Sequence, residues 1–434
     1  MNLRIDLSCC CWNIQSTLLV SLLQTEHSMG NLIDAHWFPL ASQGNIYSLT
    51  KLCSPIGSNK VLVASLKRKI YSCEYNQTQK RCHLRPLVKE LLFTYIPSGA
   101  EIISIDAYNK SETGDEFVIG ITIMKTSNDA TVERYLNIYT EGEGDGENDE
   151  NDENSTIETV AQNCLMVELS YTPYHLYHTF MPSSIHSNHE MVWLLSGNDY
   201  KFHMIREDKG SHDYAESPLD KCFPELEDFE AIATWIDIYY YKVKLCYRRL
   251  TAVGCECGLV KVSLVNVEEI TIIRNWALRY DRPVSSYMFP TVLVQNISNP
   301  ALNILVVNAV YASVVFTDVL RNDMRRDVKL AGSEFSDCVL CSCIADINMD
   351  GKNEILLGTY NQEVLVYTLV DETWEFLERR LFDAPVHSMG YLDLTGDGMK
   401  ELTVLTQRGV HILQDRTIVA KTLSKCKYTW VSAD

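Results

Sequence analysis

Two short runs of oxygen-bearing side chains are the first places in this chain where chemistry could occur. The segment ADINMDGKNEILLGTYNQEVLVY, Ala345 to Tyr367, sets Asp346, Asn348 and Asp350 at alternate positions, followed by Gly351 and Glu354. Forty-seven residues on, YLDLTGDGMKELTVLTQRGVHIL repeats the arrangement with Asp393, Thr395, Asp397, Gly398 and Glu401. A tight loop turns side chains 1, 3 and 5 inward while Gly at 6 permits the turn, which suits a hard cation such as calcium. Three carboxylates per set predict modest affinity, so weakly held calcium is the sole cofactor expectation and none is required. The same residue types equally suit a turn in which Asp and Asn bond to loop amides and Glu opens the next strand.

Other clusters are weaker. His175 and His178, with His186 and His189, form two His-x-x-His pairs that could ligate zinc, but Pro173 and Pro182 make the segment read as a loop with solvated histidines. Cys338, Cys341 and Cys343, and separately Cys255 and Cys257, look like half zinc sites. Cys255 and Cys257, like Cys341 and Cys343, alternate at period 2, which also fits small apolar residues on one buried strand face. The run YYYKVKLCYRR is basic and aromatic in an acidic chain, so Tyr239, Lys242, Lys244, Arg248 and Arg249 are the candidate partner-binding residues, alongside RNDMRRD from Arg321. A solvated strand or loop edge has the same composition. No Gly-rich phosphate loop, Ser-His-Asp order or nucleophile elbow is present, so no catalytic residue is assigned. An enzymatic reading would have to place acids such as Glu101, Asp106 and Asp237 at the mouth of an axial pocket.

The elements that must carry these residues come from a repeat. The acidic loops are followed by an apolar strand, a polar turn and an alternating strand. That formula starts at Val61, Phe117, Val192, Leu250, Asn303, Glu354 and Glu401, at intervals of 56, 75, 58, 53, 51 and 47 residues. Each copy has period-2 alternation, β-branched or aromatic enrichment and a Gly, Asn or Asp turn, the signature of a hairpin in a β-meander. One meander cannot cover its own faces, whereas seven arranged radially can. The chain is therefore expected to be all-β, a single seven-bladed β-propeller with long loop insertions and roughly 50 residues per blade. GNIYSLT, Gly44 to Thr50, is expected to close the ring beside the last blade, and RPLVKELLF from Arg85 to form a short helix.

Composition narrows the class. At 434 residues and 46% apolar content the chain can bury a large core. A net charge of −19 argues against nucleic acid or an anionic membrane as a direct partner. Part of that charge sits in EGEGDGENDENDEN, residues 141–154, which holds eight acids and no base and reads as a disordered insertion. Fifteen cysteines, an odd count often at strand spacing, indicate a reducing compartment rather than a disulfide framework. The Asn-X-Ser/Thr sequons are then expected to carry nothing. STLLVSLL, from Ser16, is a poor signal peptide and too short to span a bilayer. Residues 1–28 are expected to be an extension ahead of a start at Met29, with the propeller over 29–415 and a tail over 416–434.

With the repeat in place, longer words carry a resemblance. RPLVKELLFTYIPSGAEIISIDAYNKS from Arg85, QNCLMVELSYTPYHL from Gln162, LLSGNDYKFHMIRED from Leu194, FPEL from Phe223, FSDCVLCSCIADINMDGKNEILLGTYNQEVLVY from Phe335 and YLDLTGDGMKELTVLTQRGVHILQ from Tyr391 resemble the kaptin family in order, from about His36 to Gln414. The acidic loops within them resemble the FG-GAP loop of integrin α-subunit propellers, Asp-x-Asp-x-Asp-Gly-x-x-Asp, with Glu at position 9 in both and Thr395 at position 3 of the second. The family's charged, helix-forming tail has no counterpart in KTLSKCKYTWVSAD. The resemblance implies a non-enzymatic subunit of KICSTOR, which holds a GATOR-type GTPase-activating complex at the lysosome and restrains TOR complex 1 signalling when amino acids or glucose are short. It implies two direct protein partners, a second FG-GAP propeller and a very large scaffold subunit, with no direct membrane insertion. The alternative it implies is an actin-filament-associated protein of lamellipodia and stereocilia, for which the Tyr239 to Arg249 run would be the contact.

Overall fold

All seven copies of the repeat are the second and third strands of seven four-stranded antiparallel sheets arranged in a ring. The computed structural model describes residues 32–415 except 76–85, 128, 142–156, 183–189, 209, 228, 244–245 and 291–300. The acidic insertion, apart from Glu141, lies outside the described residues, as do the tail, Lys244, His186 and His189.

The described chain opens with β1 (Leu32–Pro39), which belongs to the last blade. Blade 1 is β2 (Leu49–Leu52), β3 (Lys60–Ala64), β4 (Ile70–Glu74) and β5 (Leu87–Leu91); blade 2 is β6 (Ala100–Asn109), β7 (Phe117–Thr126), β8 (Val132–Tyr139) and β9 (Cys164–Glu168). Blade 3 comprises β10 (Pro173–Phe180), β11 (Met191–Gly197), β12 (Phe202–Glu207) and β13 (Tyr214–Ser217); blade 4 comprises β14 (Ala233–Val243), β15 (Cys246–Cys255), β16 (Leu259–Asn266) and β17 (Thr271–Arg279). Blade 5 holds β18 (Val284–Pro290), β19 (Leu302–Asn308), β20 (Val314–Phe316) and β21 (Asp327–Lys329), and blade 6 holds β22 (Val339–Ala345), β23 (Glu354–Thr359), β24 (Glu363–Val370) and β25 (Thr373–Leu381). Blade 7 runs β26 (Val386–Leu392), β27 (Glu401–Thr406), β28 (Gly409–Asp415) and then β1.

Second strands are covered on both faces by neighbouring blades and on both edges by their own sheet, so they read as continuous apolar runs rather than alternating ones. EILLGT of β23 and ELTVLT of β27 are buried at every position. Outermost strands have solvent on one side, and β17 and β25 are exposed along most of their length. Apolar clusters fill each gap between blades, for instance Leu250, Val260 and Val262 of blade 4 against Ile304, Val306 and Val314 of blade 5.

Two sequence expectations are corrected here. Ring closure is made by β1, which pairs antiparallel with β28 from Leu32↔Asp415 to Pro39↔Gly409; Asp34 Oδ2 meets His411 Nδ1 at 2.6 Å. Pairing the first strand with the last covers the edge of β28 and gives blade 7 its fourth strand from the other end of the chain. The GNIYSLT segment instead supplies the start of the innermost strand β2 and, before it, a plug. Tyr47 is half-buried and its hydroxyl donates to Thr234 O at 2.6 Å in blade 4, while Asn45 Nδ2 donates to Ile103 O at 2.8 Å in blade 2. The second correction is β5, where a helix was expected: Leu87 to Leu91 completes blade 1 by pairing along β4, so the ladder hydrogen bonds offered by an open strand edge outweigh the helical propensity of Leu, Lys and Glu.

Candidate functional site

Each acidic loop joins the first and second strands of a blade, Asp346–Asn353 in blade 6 and Asp393–Lys400 in blade 7. The glycines carry the turn: Gly351 and Gly398 have φ of 85° and 88°, the left-handed region that a Cβ disfavours. Around them the side chains bond inward to amides. Asp346 accepts from the Asp350 and Gly351 N–H groups at 3.0 and 2.9 Å, and Asn348 Oδ1 accepts a second bond from Asp350 N–H at 2.9 Å. Asp393 accepts from Gly396 and Gly398 at 2.6 and 2.8 Å. Asp350 and Asp397, placed by the cation reading at the centre of each cage, accept from Lys352 and Met399 N–H at 2.8 and 2.9 Å.

The two glutamates differ from the other acids because they are buried, with 0% and 1% exposure. Glu354 accepts from Ile347 N–H at 3.0 Å and Asn348 Nδ2 at 2.9 Å; Glu401 accepts from Leu394 N–H at 2.7 Å and the Thr395 hydroxyl at 3.1 Å. Burial, reinforced by the loop aspartates, pushes both carboxyls up to about 7. Each loop is also tied to the next blade by its first residue: Tyr391 Oη donates to Asp346 O, and Asn59 Nδ2 donates to Asp393 O, both at 2.6 Å. The residue types fit a hard cation, yet the oxygens are turned onto loop amides, and among the described residues no three His, Cys, Asp or Glu side chains converge as a metal cage. What the geometry displays is a pair of self-capped turns that join blade 6 to 7 and blade 7 to 1.

The axial cavity, of about 360 Å3, is lined by first strands and stoppered by Tyr47. Tyr47 stacks with His175 (centroids 5.2 Å), and His175 with Trp235 (4.3 Å). His175 and His178 therefore sit on the innermost strand β10, not in a solvated loop. Burial lowers His175 to about 4, so the ring is neutral and its Nδ1 accepts the Ile236 amide at 3.2 Å. His178 Nδ1 faces Asp106 Oδ2 at 2.7 Å, and Thr50 Oγ1 donates to Asp106 Oδ1 at 3.1 Å. Of the three acids named for an enzymatic site, Asp106 lines the cavity, Asp237 receives the Tyr177 hydroxyl at 3.5 Å, and Glu101 is exposed on β6. They do not form a converging pair.

Cys341 and Cys343 do share one strand face; burial raises both thiols, Cys343 to about 11. Cys255 is buried and raised to about 12 by the same cause, but Cys257 is exposed in the turn after β15 and does not share its face.

The basic run divides. Lys242 is exposed, Tyr239 and Arg248 are half-buried, and the chain reverses between β14 and β15. Arg249 is not on the surface: it is fully buried, its Nε and Nη2 donating to Glu225 Oε1 and Oε2 at 2.8 and 2.9 Å. Nη2 also donates to Cys222 O at 2.9 Å, and Thr251 Oγ1 to Glu225 Oε1 at 2.8 Å. Alternation along β15 puts Arg248 on the opposite face, half-buried across from Tyr241, and Arg249 into the gap on the other side of the blade. Glu225 belongs to the short turn Pro224–Leu226 in the connection from blade 3 to blade 4, so Arg249 anchors that connection.

A family model described as "KICSTOR complex protein kaptin" matches residues 32–424, a span that includes every blade. The Mus musculus KICSTOR complex protein kaptin is 34% identical over 402 residues, covering 90% of this chain and 90% of that protein. Among solved structures, the Dos1 propeller gives a TM-score of 0.50 at 9% identity, covering 88% of this chain and 95% of that one. The Saccharomyces cerevisiae Sqt1 structure gives 0.50 at 8% identity, covering 89% and 99%. At these identities the two solved structures share the fold alone.

Proposed function

The chain belongs to the kaptin family of KICSTOR complex proteins, and from that membership we propose that it is a non-enzymatic adaptor subunit of a KICSTOR-like complex. In this role it binds a second FG-GAP propeller protein and a very large scaffold subunit. Through them it holds a GATOR-type GTPase-activating complex at the lysosomal surface, peripherally, and so restrains TOR complex 1 signalling when amino acids or glucose are scarce. The observation that carries the reading is the family match over residues 32–424. Among the described residues no helix is long and apolar enough to cross a membrane. The actin reading is weakened, since Arg249 of its contact run is buried.

Affinity purification of the tagged chain from its own cells tests the proposal. Stoichiometric recovery of the second propeller and the large scaffold is expected; recovery of the chain alone would remove the reading. Cosedimentation with actin filaments separates the alternative.

A further inference from the structure

A recess lies on the face of the ring opposite the acidic loops, where the turn between β11 and β12 meets the connection from blade 3 to blade 4. It has a volume of about 940 Å3, near the upper end for a ligand cleft, and it is an open groove, the shape that takes a short length of chain. Its floor is apolar. Phe202 and Phe229 pack edge to face at 5.3 Å with Leu226 beside them, all three themselves only 1–5% exposed, and the accessible apolar surface is that of Tyr200, 53% exposed, and Pro218 at the edge.

The floor is pre-organised. Leu226 follows Glu225, whose carboxylate is clamped by Arg249 and Thr251 and whose carbonyl accepts from Lys261 Nζ at 2.9 Å. Lys261 also sits 4.9 Å from the centroid of the Phe229 ring. A surface held from beneath in this way loses little freedom when a partner settles on it.

The rim carries charge of one dominant sign. Asp220, Glu227 and Glu230 are exposed and have no basic partner among the described residues, Asp199 is occupied by His203 at 3.1 Å, and Lys201 is the single base among the described lining residues. Unpaired carboxylates around an apolar floor favour cationic side chains flanking an apolar anchor, and aromatic residues such as Tyr200 are frequent centres of binding energy.

We propose that this groove docks an extended segment of a partner protein in which Lys or Arg residues flank a Leu-, Met- or Phe-type anchor. The proposal rests on the adaptor reading for the existence of a partner, and on the groove alone for its chemistry.

The test begins with a random dodecapeptide phage library selected on the full chain, followed by synthesis of the leading peptide and fluorescence anisotropy. Enriched peptides should carry two or more basic residues around an aliphatic or aromatic one. Glu227→Lys with Glu230→Lys should weaken binding at least tenfold, Tyr200→Ser severalfold, and Glu269→Lys, on the opposite face, less than twofold. Affinity should fall as salt rises, because rim charges are screened. Absence of enrichment, or peptides whose affinity ignores the rim reversal, would overturn the proposal. So would competition at equal affinity by a synthetic peptide of residues 416–434, or a dimer of the chain that the rim variant dissolves, since either names a different occupant. If the wild-type chain co-purifies with its complex and the rim variant binds no worse to every subunit and to the peptide, the groove proposal falls and the adaptor reading stands.

Discussion

Arg249 should behave as a structural residue, and the size of the effect can be worked out. The guanidinium and the Glu225 carboxylate are 0% and 1% exposed, joined by two bonds of 2.8 and 2.9 Å. Removing one partner of such a pair strands the other charge away from water, at a cost of about 3–5 kcal/mol. With an unfolding entropy of about 2.1 cal/mol/K per residue over about 400 residues, the chain gains about 0.8 kcal/mol/K, so Arg249→Met should lower Tm by about 4–6 °C. Glu225→Gln should act in the same direction with a smaller shift, because it keeps the shape and one acceptor. Arg248→Ala, half-buried on the other face of the same strand and without a buried ion pair among the described residues, should cost clearly less, about 1 kcal/mol or below. Arg249→Met with Glu225→Leu should recover part of the loss, since neither charge is then left alone. Scanning calorimetry with a chemical-denaturation series measures all four. Equal shifts for Arg248→Ala and Arg249→Met would refute the buried anchor and return Arg249 to the surface run.

Three further outcomes follow from the same structure. Glu354 and Glu401 have folded pKa values of about 7 against 4.5 for the free group, so their contribution to stability is present below about 4.5 and is lost as pH rises through about 7. Glu354→Gln or Glu401→Gln should therefore gain about 2 kcal/mol relative to wild type between pH 5 and pH 8.5, and parallel denaturation profiles would mean the carboxyls ionise freely. If the loops hold calcium, Tm should respond only at high calcium, by about 1.4 kcal/mol at ten times Kd. Asp350→Asn should then blunt the response more than Asp397→Asn, because the first loop keeps Asn348 where the second has Thr395; no response in titration calorimetry or melting leaves both as capped turns. Tyr47→Ala removes the stopper and should cost about 3–5 kcal/mol, whereas Tyr47→Phe loses only the bond to Thr234 O, about 1 kcal/mol. Near-equality of the two in urea denaturation would mean the stack does not hold the ring.

How far the fold could be read depended on where each strand's partners lie. Second strands were legible because burial on both faces forces apolar runs, and the glycine turns beside them mark each blade; EILLGT and ELTVLT illustrate both. Ring closure was not, because the pairing of Leu32–Pro39 with Gly409–Asp415 spans the whole chain, and LIDAHWFP has no local feature that favours it over GNIYSLT. RPLVKELLF has helix-forming residues, and its strand conformation comes from the open edge of β4. The basic run illustrates a third limit. Composition marks Arg248 and Arg249 alike, and only the strand phase and Glu225, 24 residues away, separate them. The groove draws on residues near 200 and near 226, words quoted for their resemblance, whose apolar floor and acidic rim exist only once blades 3 and 4 are side by side.

The proposed role is that of an adaptor through which a GTPase-activating complex is held at the lysosome. Its most direct test is quantitative imaging of that complex on lysosomes in nutrient-starved cells lacking the chain, with and without re-expression. The account predicts that recruitment is lost without the chain, that phosphorylation of TOR complex 1 substrates persists through starvation, and that re-expression restores both. Full recruitment and normal shutdown of signalling in cells lacking the chain would contradict it.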